Sequence, residues 1–229
     1  PIFVTTDSLL HLHHLVFDYL LRGVETDNLT PSTIALVDHY LTASLQQSRT
    51  ATDKRVKEAA LSNAAFFAVA ARLVARGVGA DTLVGLCAGR SMAQVVALLG
   101  ILRAGAAWLP LEPGQPASRL QDILAAAHPG LILADASGVA ALAVAAPHVH
   151  PLPLEGGEFA GEAPDRREPH PLAAAYALFT SGSTGTPKAV VVPRDALARH
   201  MAWMDRTFPL RPDDVVLLKT PMGFDASVW

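Results

Sequence analysis

The nine residues Thr180-Ser181-Gly182-Ser183-Thr184-Gly185-Thr186-Pro187-Lys188 carry the densest chemistry in the chain. Two glycines let the backbone approach a ligand closely and adopt positive φ. Hydroxyls flank them, and exposed backbone N–H groups can line an anion-binding concavity. Lys188 adds a mobile positive charge. Phosphate oxygens call for that set of groups. Spacing excludes other loops built from the same residue types. An ATPase phosphate loop ends in Gly-Lys-Ser/Thr and leads into a helix; here Pro187 precedes Lys188, Ala189 follows it, and Val190-Val191-Val192 reads as strand. A nucleophile elbow needs Gly-x-Ser-x-Gly, but Ser181 stands two residues before Ser183. Gly77-Val78-Gly79 lacks a third glycine and follows a helix, so it is no dinucleotide fingerprint.

A second cluster is Asp7, His11, His14 and Asp18, whose spacings of three and four keep them on one helix face. Zinc or iron uses such ligands. A lone helix rarely fills a coordination sphere, so a plain polar stripe is the favoured reading and no metal is expected. His13 falls on the apolar side of that helix. Cys87 lies in a strand pattern and reads as inert core, and Trp108 reads as packing. His148, His150 and His170 sit near loops without a constellation.

The elements that must position these groups change character near residue 70. Of 16 glycines and 17 prolines, only Gly23, Pro1 and Pro31 come earlier. The first part therefore reads as long helices. Thr5 and Thr6 can cap one, with Leu9, Leu12, Val16 and Leu20 on its buried face. A second runs from about Pro31 to Gln47, and a third from near Asp53 through Phe66 and Leu73 to a stop at Gly77. After that, strands at Thr82–Cys87, Ala107–Leu109 and Leu131–Ala134 alternate with helices at Ser91–Arg103, Pro116–Ala127 and Gly138–Ala146. Val149–Leu152 is a weak strand and Glu155–Pro171 a polar loop. Ala175–Phe179 and Val190–Val192 are strands around the loop, followed by a helix at Arg194–Met204, a strand at Val215–Lys219 and a helix starting near Phe224. This alternation predicts an α/β domain with a mostly parallel sheet flanked by helices, preceded by an all-α segment.

Composition narrows the function classes. The chain of 229 residues is 51% hydrophobic and 17% charged, which excludes global disorder. A net charge of -3 gives no electrostatic case for nucleic acid. One cysteine excludes a disulfide framework. The apolar run Val95–Leu102 is too short to span a bilayer, and no cleavable leader is visible. The expectation is a cytoplasmic protein without a membrane partner.

The string AAYALFTSGSTGTPKAV around the loop resembles the phosphate-loop motif of adenylate-forming, AMP-binding enzymes. Within them it is most similar to the amino-acid adenylation domain of a nonribosomal peptide synthetase. ARGVGADTLVGLCAGRS (75–91), LRAGAAWLPLEPGQPASRL (102–120) and KTPMGFDASVW (219–229) resemble further motifs of that family, in the right order. The resemblance covers residues 72–229. It implies that Thr180, Ser181, Gly182, Ser183, Thr184, Gly185 and Lys188 wrap the phosphates of ATP, with Mg²⁺ bridging phosphate oxygens. A substrate carboxylate attacks the α-phosphate, giving an acyl-adenylate and pyrophosphate. Asp225 matches the aspartate that pairs with the substrate ammonium, and Ala226 and Trp229 match the next pocket positions. The implied partners are an amino acid and a carrier-protein domain.

Three positions depart from the family pattern: Ala189 replaces a glycine, Arg194 a histidine and Gln115 an aromatic residue. The resemblance places the adenine-binding motifs and the catalytic lysine beyond Trp229, so a truncated, inactive domain is expected. Residues 1–71, with FVTTDSLLHLHHLVFDYLLRGVE and EAALSNAAFFAVAARL, resemble an uncharacterised bacterial helical family instead. The join near Val69–Leu73 falls inside a helix, which suggests a chimera. Two alternatives stand beside amino-acid activation. One is an acyl- or aryl-CoA ligase with the same phosphate loop, which has no need of Asp225. The other is a non-catalytic, helical metal- or partner-binding module with a remnant nucleotide domain.

Overall fold

Short apolar strands alternate with capped helices as the sequence predicts. The computed structural model describes residues 3–5, 65–154, 169–180, 187–209 and 215–228. Asp7, His11, His14, Asp18, the helix at Pro31–Gln47, Ser181–Thr186, most of the 155–171 loop and Trp229 lie outside the described residues. In chain order come strand β1 (Phe3–Thr5), helix α1 (65–74), β2 (Leu83–Cys87), α2 (Met92–Arg103) and β3 (Ala107–Leu111). Then follow α3 (Ala117–Ala127), β4 (Leu131–Ala134), α4 (Ala136–Ala145) and β5 (Leu152–Pro153). β6 (Ala174–Thr180), β7 (Lys188–Pro193), α5 (Arg194–Thr207) and β8 (Val215–Leu217) complete the order. The main sheet has the order β5-β4-β2-β3-β6-β7. Its first five strands run parallel, and β7 returns antiparallel to β6. β1 pairs antiparallel with β8, Phe3 opposite Leu217. Thr5, expected to cap a helix, ends this strand.

Strand alternation sends side chains to two apolar layers. Val84, Leu86, Trp108, Tyr176 and Leu178 join α1, α2 and Leu197 of α5 in one layer. Cys87, Leu109, Leu111, Ile132 and Ala177 join α3 and α4 in the other. Fully burying a large apolar side chain such as Leu73, Ile101 or Leu109 contributes about 1.5–3 kcal/mol. Trp108 is fully buried as expected, its ring tilted 32° to that of Tyr176 with centroids 5.2 Å apart.

The helix ends explain themselves. Ser91 Oγ accepts the Gln94 N–H (3.1 Å) and starts α2. Gly77 and Gly105 both take the positive φ that stops a helix (77° and 86°). α1 lies close against α2 because Gly100 has no side chain: a Cβ there would stand 2.5 Å from Val69 Cγ1. Arg103 covers the Phe67 ring, 5.4 Å from its centroid. Phe66, Val69, Ala70 and Leu73 all enter one core, so a border at residue 72 divides a helix whose two parts pack together.

α4 starts two residues earlier than the predicted Gly138. Asp135 is its cap: Oδ1 accepts the Gly138 N–H and the Ser137 hydroxyl (both 2.7 Å), while Oδ2 accepts the Gly89 N–H (2.8 Å). Burial pushes the carboxyl pKa up, but these hydrogen bonds outweigh burial and leave it below its ordinary value. A carboxyl depressed on folding stabilises the fold fully above its unfolded pKa of about 4 and loses that stabilisation as pH falls through its folded pKa. Asp135→Ala is therefore expected to cost about 1–2 kcal/mol at neutral pH and less in acid. Urea midpoints of the two proteins that stay equally far apart across the acid range would contradict this.

Candidate functional site

The parallel strands place their carboxyl ends on one side of the sheet, where α/β folds bind ligands. Cys87, Leu111, Ala134 and Thr180 end β2, β3, β4 and β6. Thr180 and Lys188 face each other in the β6–β7 register. The Thr180 hydroxyl donates to the Lys188 carbonyl (3.4 Å), which closes the neck of the predicted phosphate loop. Lys188 is exposed. Arg119 of α3 donates to the Phe179 carbonyl (3.2 Å), tying the last turn of that neck to the layer below. The donor set at this neck, a hydroxyl and an ammonium, suits phosphate oxygens. Ser181, Gly182, Ser183, Thr184 and Gly185 connect Thr180 to Lys188 and lie outside the described residues.

Asp225 opens a 3-10 helix (Asp225–Ser227) in place of the longer helix expected near Phe224. Ser227 Oγ donates to the Phe224 and Met222 carbonyls (2.6 and 3.3 Å), a local bond that competes with regular helix. Asp225 is exposed, and its Oδ1 accepts the Ala226 N–H (2.8 Å). Among the described residues no basic side chain forms an ion pair with it. Ala226 is exposed beside it, and Trp229 lies outside the described residues. Burial first, and then the negative charge of Asp225, pushes the pKa of the Tyr176 hydroxyl up. Tyr176 is on β6, so the carboxylate and the phosphate-loop neck are served by one strand.

The departures from the expected pattern have local uses. Arg194 is buried at the start of α5 and donates to the Leu102 and Ala106 carbonyls (3.1 and 2.8 Å), past the C-terminus of α2. A cation suits that end of a helix. Gln115 closes a turn by donating its N–H to the Glu112 carbonyl (3.0 Å). Ala189 lies exposed in extended β7 opposite Phe179, where its methyl group meets no crowding from the sheet. Cys87 is the inert core thiol expected: burial, then Asp135 and Glu112, push its pKa up to about 12. His128, His148 and His150 line a groove of about 770 Å³ at the opposite, amino-terminal end of β4. Among the described residues no group of three His, Cys, Asp or Glu is placed to hold a metal ion, and no helix is long and apolar enough to cross a membrane. Sequence reasoning missed Arg119 and Glu112 as supports of the site, since their partners lie 60 and 111 residues away.

The described residues thus form a mostly parallel α/β sheet with a hydroxyl- and lysine-bearing loop neck at its carboxyl edge. The sequence profile of the AMP-binding enzymes matches residues 31–229, and the chain belongs to that family. Tyrocidine synthase 3 of Brevibacillus parabrevis is 35% identical over 221 residues, which cover 89% of this chain and 3% of that protein. Enterobactin synthase component F of Escherichia coli (strain K12) is 38% identical over 172 residues, 71% of this chain and 12% of that protein. The crystal structure of the nonribosomal peptide synthetase FmoA3 superposes with a TM-score of 0.66 at 26% identity, over 84% of this chain and 21% of that one. FmoA3 with α-methyl-L-serine-AMP bound gives 0.61 at 29% identity, over 73% and 18%. The chain thus spans a small part of each relative's length.

Proposed function

We propose that this domain activates an amino acid at the expense of ATP for nonribosomal peptide synthesis. The loop Thr180–Gly185 with Lys188 receives the nucleotide phosphates, where a Mg²⁺ ion bound with them would neutralise phosphate charge. Asp225 takes the substrate ammonium. The amino-acid carboxylate attacks the α-phosphorus, the bond to the β-phosphate oxygen breaks, and pyrophosphate leaves. The aminoacyl-adenylate then passes its acyl group to a carrier-protein domain. The observation that carries this reading is an exposed Asp225 carboxylate, on a turn bonded to the end of β3 through Glu112, that forms no ion pair with a basic side chain among the described residues. A carboxylate so placed can hold one end of a small substrate while the other end meets the phosphates. We assign residues 65–71 to the AMP-binding unit, because they build its core.

The test is amino-acid-dependent exchange of labelled pyrophosphate into ATP by the native protein that carries these residues. Exchange with one or a few α-amino acids supports the proposal. Adenylation only of carboxylates that lack an amino group would move the protein to the acyl- or aryl-CoA ligases. Lys188→Ala is expected to raise the KM for ATP about tenfold or more, since it removes a charge-assisted phosphate contact, and to leave the melting temperature unchanged because Lys188 is exposed.

A further inference from the structure

Glu112 belongs to neither the phosphate loop nor the pocket, yet it joins the sheet to the turn that carries Asp225. It directly follows β3, and its side chain reaches across 111 positions of sequence: Oε1 accepts the Gly223 N–H at 3.2 Å. Glu112 Cγ and Gln115 Nε2 each stand 3.9 Å from where a Gly223 Cβ would be, an ordinary van der Waals separation. Within the turn, the Phe224 N–H donates to Pro221, Ser227 to Phe224 and Val228 to Asp225 (3.1, 3.0 and 3.2 Å). Those bonds set the shape of the turn. They do not set its place on the sheet, because both partners of each lie inside it. Its place is set by Met222, buried in the core, by Val228 packed against that core, and by the bond from Glu112 to Gly223.

We propose that Glu112 is a positioning residue: by holding the Gly223 N–H at the end of β3 it fixes Asp225, two residues on, where it can meet a substrate ammonium. This inference rests on the amino-acid-activating reading above. A carboxylate acceptor makes the single backbone bond stronger than a neutral one. Loss of that bond lets the segment between Met222 and Val228 shift, and a shifting carboxylate binds its cation less well without altering the phosphate site.

The experiment compares Glu112→Ala, Glu112→Gln and Glu112→Asp in the native protein. It reads steady-state pyrophosphate exchange and, without any ligand, amide hydrogen exchange of the peptide covering 221–228. Glu112→Ala is expected to raise the amino-acid KM about tenfold and to speed exchange in the turn by a similar factor, with kcat and the KM for ATP changed less than about twofold. Glu112→Gln keeps an oxygen that accepts from Gly223 and restores both readouts to near wild type. Glu112→Asp is one methylene too short to reach and behaves like the alanine variant, which keeps the test open if alanine fails to fold. Unchanged hydrogen exchange in both shortened variants overturns the proposal, as does a glutamine variant as impaired as alanine. Should no amino acid support pyrophosphate exchange in the wild-type protein, the functional reading fails, while the hydrogen-exchange arm still decides whether Glu112 holds the turn.

Discussion

Asp225→Ala is expected to lower kcat/KM for the cognate amino acid by roughly 30- to 150-fold, which is about 2–3 kcal/mol of transition-state stabilisation. The carboxylate is exposed, and no basic side chain among the described residues neutralises it. On the amino-acid-activating proposal a substrate ammonium is its counter-ion, and a bond between two charged groups is among the stronger polar contacts a protein makes. The effect should fall on the amino acid: the KM for ATP is expected to stay within about twofold, because the proposal gives the phosphate groups to a different loop. Asp225→Asn separates charge from shape. Its side-chain oxygen can still accept the Ala226 N–H, which Asp225 Oδ1 now takes at 2.8 Å. If the asparagine variant is nearly as impaired as alanine, charge is the operative property. Parallel assays with a carboxylic acid lacking the amino group give the counter-test. Activation of such an acid that is strong in the wild type and indifferent to Asp225→Ala would remove the amino-acid reading and favour a CoA ligase.

Much of this arrangement was legible before any coordinates. The caps and stops at Ser91, Gly77 and Gly105 follow from single residues with one strong conformational use, and each does what its type predicts. The direction of β7 was recoverable too. Seven residues separate Thr180 from Lys188, too few for the crossover a parallel return requires, so only an antiparallel hairpin fits. β3 runs two residues past its expected end at Leu109, through Pro110, which stands opposite Leu86 of β2. The start of α4 was hidden among small residues, although Asp135 three positions before Gly138 has the spacing of a cap. Glu112 lies inside the quoted 102–120 motif, but nothing there marks its role. A glutamate after a strand is ordinary in sequence, and its value comes from a backbone N–H that only the finished fold brings near. The Asp225 turn was read as helix because composition cannot show that the Ser227 hydroxyl would bind back onto the chain.

Gly138→Ala is expected to be the most damaging single-methyl change in the described part of the molecule. A Cβ at that position would overlap the Cys87 carbonyl oxygen and stand 2.7 Å from its carbon. Escape is blocked in several directions. The Cys87 carbonyl already accepts the Asp135 N–H (3.3 Å), which keeps the end of β2 against the start of α4. The Asp135 carboxylate binds the Gly89 and Gly138 N–H groups at once, so α4 cannot lift without breaking its own cap. The Cys87 thiol faces the Gly138 carbonyl at 3.8 Å from the other side. Overpacking at a site this constrained costs about 3 kcal/mol or more. For a chain of this size that lowers the melting temperature by roughly 6–12 °C. Gly79→Ala is the matched control, since nothing lies within 4 Å of its Cβ position; it should change stability by less than about 1 kcal/mol. Urea unfolding of the two variants beside wild type decides the matter. A Gly138→Ala midpoint equal to that of Gly79→Ala would mean that α4 slides freely over β2. The Asp135 network would then be a surface ornament, and the sheet edge next to Glu112 would be softer than its hydrogen bonds imply.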